Sequence, residues 1–126
     1  MKIAALIAGL LLGFVFVALP GALLLGLMHP PPPDPASPAG QFFGVFYATG
    51  WLKLVQLLQI LGGVLVAIPK TRNFGLLVLG PVIVNILAFH ILVMNGNGLM
   101  GPPLVVSVLA AFLLFVERNK FAALAN

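Results

Sequence analysis

The chain has 126 residues, enough for one domain and no more. Apolar residues make up 62 % and charged residues 6 %, against about 25 % charged in a soluble domain; a soluble fold this small could not hide so much apolar surface, and lipid is the solvent that suits it. The net charge of +4 rests on six scattered Lys and Arg residues with no basic stripe, which excludes a nucleic-acid module, and the lack of cysteine excludes disulfide exchange, thiolate metal sites and iron–sulfur clusters.

The first apolar run, residues 3–27, carries no charge. At ~1.5 Å per residue it would reach about 37 Å, more than the roughly 30 Å hydrocarbon core of a bilayer. Lys2 ahead of an apolar stretch, with small residues between Ala18 and Ala22, also suits a cleaved leader. The run continues past that point, so a retained transmembrane helix is expected. Pro20 followed by Gly21 should bend it, because proline removes one helix hydrogen bond and crowds the preceding turn.

Residues 28–41 form a proline-rich outer loop, with six prolines between Pro30 and Pro38. Such a segment is stiff and extended and cannot lie unsatisfied in lipid. Phe42, Phe43, Phe46 and Tyr47 then mark either a short interfacial helix or the start of the second span. That span covers 51–68 and ends at Pro69. Residues 69–73 make a tight charged turn. The third span, 74–94, has no formal charge and contains Pro81. A turn cluster at 95–98 follows. The fourth span, 102–116, opens on Pro102 and Pro103, residues suited to a helix start. The expected fold is an all-α, polytopic membrane four-helix bundle, one transmembrane domain over residues 1–126.

The charges support that count. Lys2 precedes the first helix, Lys70 and Arg72 lie between the second and third, and Arg118 and Lys120 follow the fourth. The two other connections have no Lys or Arg. Four helices put all these cations on one side, and the positive-inside rule makes that side cytoplasmic. The expected location is a cell inner (plasma) membrane, multi-pass, with both termini cytoplasmic. Lys53 lies at the outer end of the second span, where a long side chain can snorkel to the headgroups.

Five polar side chains fall inside the expected spans: Gln56 and Gln59, Asn85 and His90, and Ser107. Polar groups in lipid are costly without partners, so these are the candidate ligand-binding residues. Depths counted at ~1.5 Å per residue sort them into two layers in the outer half, Gln59 with Asn85 and Gln56 with His90 and Ser107. Two readings stand. One is interhelical hydrogen bonding, a structural glue of modest strength. The other is a small pocket that takes a quinone headgroup through Gln59, Asn85 and His90. A haem is disfavoured, because His29 lies in the loop and no second buried histidine remains. No catalytic constellation and no metal set is present in the sequence. The Gly62-Gly63 pair lets another helix approach closely.

The stretch from Phe42 onward resembles the DoxX-like membrane proteins. The residues that carry the resemblance are Ala48-Thr-Gly-Trp-Leu52, Gln59-Ile-Leu-Gly-Gly63 and Pro81-Val-Ile-Val-Asn-Ile-Leu-Ala-Phe-His90, together with Met28-His-Pro-Pro-Pro-Pro33. Members often have Glu where this chain has Gln59, and a polar turn late in the first helix where this chain reads Ala18-Leu-Pro-Gly-Ala22. The resemblance implies association with thiosulfate:quinone oxidoreductase subunits and with membrane complexes that defend against oxidants. The expected role is a non-catalytic subunit or accessory of a quinone-linked or oxidative-stress redox system. Its partners would be the lipid bilayer and a membrane or redox protein. A small transporter or permeability factor is the alternative. Reporter fusions after Asn126 and in the 69–73 turn should report cytoplasm, and one in the 30–38 loop the outside. An external C-terminus would remove the four-helix topology.

Overall fold

The structure, a computed structural model, describes residues 2–125. Its helices are α1 (Lys2–Leu24), α2 (Pro38–Thr49), α3 (Trp51–Ala67), α4 (Arg72–Ala88), α5 (Pro102–Val116) and α6 (Arg118–Ala122). There is no strand among the described residues.

Capping explains where the helices begin and end. α1 runs through Pro20 but stops at Leu24, short of the expected 27. The Leu27 amide donates to the Ala22 carbonyl and the Gly26 amide to Leu23. With Gly26 at φ +73° this is a Schellman stop, which needs a glycine in the left-handed region. The proline-rich segment has no regular secondary structure as far as Asp34, whose carboxylate accepts from the Ala36 amide at 2.9 Å. The Ser37 hydroxyl then accepts from the Gly40 amide at 3.0 Å, and Pro38 takes the first helical position, so α2 starts with a serine cap. Gly50, at φ +77°, separates α2 from α3 and turns the chain by 85°. The aromatic segment is thus a separate short helix.

α3 hands over to α4 through the 3₁₀ turn Pro69–Thr71. Two side chains, one ending the turn and one beginning α4, satisfy carbonyls in the last turn of α3. The Thr71 hydroxyl donates to Leu65 at 2.8 Å, and Arg72 Nε to Val66 at 3.4 Å. α4 therefore starts at Arg72, two residues earlier than expected, and continues beyond Ala88 as a π-helical turn, Phe89–Val93. α5 has the expected bounds.

α1 packs on α3, α3 on α4, and α5 touches both α1 and α4. One fully buried side chain comes from each of the four: Leu12, Val66, Leu79 and Leu113. On α1 the buried positions Ala5, Ala8, Leu12 and Phe16 form one face at helical spacing. The outward faces are apolar too: Phe14 is 70 % exposed, Val84 64 % and Leu92 77 %. A soluble monomer does not show such an exterior. Lys2–Leu24 and Pro69–Val93 are long and apolar enough to cross a membrane, and a third stretch qualifies if α2 and α3 form one bent span. α5 is apolar but shorter. These helices support a membrane-protein reading.

Glycines set the distances between helices. A methyl group on Gly13 would come within 2.5 Å of the Gly63 carbonyl oxygen, and one on Gly63 within 3.0 Å of the Gly13 carbonyl. Gly62 meets Leu79 of α4 in the same way. Gly80, by contrast, faces open space. Gly13→Ala should therefore lower stability by about 1–3 kcal/mol, the usual range for overpacking, while Gly80→Ala should be neutral or slightly stabilising. Thermal unfolding in detergent checks this, and equal effects would refute the close-approach account.

Candidate functional site

The structure separates the five candidate side chains. Gln59 and His90 line one cavity of about 460 Å³ between α1, α3, the π-helical turn and the start of α5. Phe16 and Pro20 of α1 and Pro103 and Val106 of α5 form much of its apolar wall, and among the described residues Gln59 and His90 are its only polar side chains. The size falls in the roughly 300–1,000 Å³ range of small-molecule sites. Gln56, three residues from Gln59, is buried at 7 % exposure but does not line the cavity.

Asn85 does not face the interior. It is exposed, and its Nδ2 donates to the Pro81 carbonyl at 2.8 Å. Ser107 donates to the Pro103 carbonyl at 2.6 Å, and His90 Nδ1 lies 2.8 Å from the Ile86 carbonyl oxygen. All three bonds reach back four residues along the same chain segment. The interhelical glue expected for Asn85, His90 and Ser107 is thus corrected to local satisfaction. A carbonyl one turn back is always within reach of such a side chain and needs no matching partner on a neighbour. The expected pairing in depth is corrected as well. Gly62 lies against Leu79 and Gly75 against Val66, and each step down α3 is matched by one step up α4. Gln56 is therefore level with Asn85, and Gln59 with Val82.

Several features hold His90 in place. A carbonyl can only accept, so Nδ1 carries a proton towards Ile86. The opposite edge, with Cδ2 and Nε2, faces Gly98, where a methyl group would stand 3.3 Å from Cδ2. The Gly96 amide donates to the His90 carbonyl at 2.6 Å and the Met94 amide to Phe89 at 3.1 Å. Phe89, just before it in sequence, packs against Phe42 (tilted) and Phe43 (edge-on) of α2 at 4.9 and 5.2 Å between ring centroids. The π-helical turn is thus clamped by the short helix on one side and the 95–101 turn on the other.

At the opposite end lies a charged group that sequence reasoning treated only as flanking charge. Arg72 is buried at 5 % exposure, with Nη1 3.8 Å from Oε1 of Glu117. Lys120 lies 3.1 Å from the other carboxylate oxygen. Gly9 leaves the space for the guanidinium: a methyl there would come within 3.0 Å of Nη2. Nη2 itself is buried and has no hydrogen-bond partner among the described residues. Among the described residues no cluster of His, Asp and Glu suited to a metal is present.

Comparison of the chain with known protein families, with curated proteins and with solved structures gives no match. Asn85→Leu and Ser107→Ala should each shift stability by less than about 0.5 kcal/mol, as for sites that tie no two elements together. Glu117→Gln should cost about 3 kcal/mol, because it leaves Arg72 buried without a counter-charge. Chemical or thermal unfolding of the three variants measures this ranking, and an Asn85→Leu loss as large as that of Glu117→Gln would overturn it.

Proposed function

We propose that this chain is a DoxX-like membrane four-helix bundle of α1, α3, α4 and α5, a non-catalytic accessory of a quinone-linked or oxidative-stress redox system in the plasma membrane. Both termini would be cytoplasmic, and the cavity would open towards the outer leaflet. The observation that carries the reading is the pairing of Gln59 with His90 in an otherwise apolar cavity.

That pair suits both redox forms of a quinone headgroup. The Gln59 amide can donate to a quinone carbonyl. With Nδ1 committed to Ile86, a neutral His90 ring offers Nε2 as an acceptor for a quinol hydroxyl. Val15, Leu19 and Leu23 line the α1 side of the cavity and give an isoprenoid tail apolar contact on its way to lipid. Gln59 is uncharged, so binding would bring no titrating carboxylate to the headgroup. Holding the ligand, and leaving electron transfer to a partner, is the chemistry this lining supports.

The test is what co-purifies. Protein extracted in mild detergent should carry ubiquinone or menaquinone, measured by solvent extraction and chromatography. His90→Leu and Gln59→Leu should each lose most of it while the protein stays folded, and Asn85→Leu should keep it. Absence of quinone, together with solute flux through vesicles that hold the protein, would replace this reading with a transporter or permeability factor.

A further inference from the structure

A second cleft, of about 190 Å³, lies at the charged end, between the start of α4 and the C-terminal segment. Lys70 and Lys120 stand over it, and Phe74, Leu77 and Leu124 form its apolar side. Asn73 also lines it, and Asn73 Oδ1 is buried with no hydrogen-bond partner among the described residues. We propose that this cleft binds an anionic glycerophospholipid, the phosphodiester between Lys70 and Lys120, a headgroup hydroxyl on Asn73, and an acyl chain along Phe74 and Leu77.

Three observations support this occupant. The first is charge. Among the described residues Glu117 is the one acidic side chain at this end, and Arg72 and Lys120 already flank it. Lys70 has no carboxylate within ion-pair distance among the described residues, so the rim keeps positive charge for an anion. The second is the orphaned Asn73 oxygen. A buried acceptor without a partner costs free energy that a donor from outside would recover, and a glycerol headgroup carries such donors beside its phosphate. The third is the wall. Phe74 is 64 % exposed and Leu77 48 %, directly below the lysines in the direction of the long apolar helices. Free phosphate would use the lysines and leave this wall bare; a lipid uses both. Basic clefts beside membrane helices recognise anionic headgroups in this way.

The experiment uses the full chain in detergent micelles. Binding of phosphatidylglycerol, phosphatidylcholine and inorganic phosphate is followed by native mass spectrometry and by thermal shift. Phosphatidylglycerol should be retained and should raise the unfolding temperature well above the phosphatidylcholine value, and inorganic phosphate should not. Lys70→Gln should weaken phosphatidylglycerol retention about fivefold, and Lys70→Gln with Lys120→Gln more than tenfold. Lys120 touches Glu117, so the single Lys70→Gln variant, exposed and unpaired, decides the matter if the double variant unfolds. Equal retention of the two lipids, full stabilisation by inorganic phosphate alone, or unchanged phosphatidylglycerol binding in Lys70→Gln would each overturn the proposal.

Discussion

The contact between α1 and α3 is closest where two glycines meet, with Phe16, Val17 and Ala67 packed around them, and α4 and α5 pack against this pair. Backbone carbonyls of Gly13 and Gly63 lie where any Cβ would clash. Between helices surrounded by lipid, apolar burial gives little driving force, and close packing of small residues replaces it. Gly9, one turn from Gly13, extends the seam and leaves the slot that Arg72 fills. Gly62 admits Leu79, and Gly75 admits the backbone of Val66, so α4 seats on α3 by the same device. The cavity lies beyond the seam. Its wall begins at Val15 on α1 and reaches Gln59 on α3, both on the loop side of the Gly13–Gly63 contact. Where the small residues end, the helices stand apart and the cavity opens.

Arg72 is the counterpart of that seam at the charged end. Its Nε caps the end of α3, its Nη1 faces Glu117 at the start of α6, and its stem begins α4. One side chain thus ties the α3–α4 turn to a residue 45 positions further along the chain. Burying a guanidinium is expensive, and a pair at 3.8 Å with one nitrogen unpartnered among the described residues offsets the cost incompletely. What the arrangement gives is position. It orders the approach of the C-terminal segment to the α3–α4 turn, and with it the cleft that carries Lys70 and Lys120.

The helices were legible where hydropathy and proline agree. α5 falls at its expected bounds, α3 within one residue, and the proline-rich segment between α1 and α2 is non-helical, as its composition requires. The end of α1 was not read, because the apolar run continues past Gly26 while the backbone does not; the glycine itself was the available signal. Gly9-Leu-Leu-Leu-Gly13 was likewise a legible small-xxx-small pattern. At the site, Gln59 and His90 were both picked out for lying in apolar spans, and they do share a cavity. Asn85 and Ser107 were picked out on the same ground and proved to be satisfied by their own helices. Polarity in an apolar run says that a partner exists, not where it is. The Arg72–Glu117 pair spans 45 positions in sequence, and no local pattern announces so distant a contact. Nor did any residue type mark the π-helical turn at His90.

α5 has 15 residues against 23 in α1. At ~1.5 Å per residue these rise about 22 Å and about 34 Å, one well short of a hydrocarbon core of ~30 Å and the other slightly beyond it. Were α5 to cross a bilayer as a fourth span, the lipid shell would be uneven around the molecule, pinched along α5 and relaxed along α1. Such mismatch costs only fractions of a kcal/mol per Å, yet it sorts proteins by membrane thickness and draws together surfaces that share the defect. The α5 flank is the side on which a neighbouring helix would relieve the most deformation.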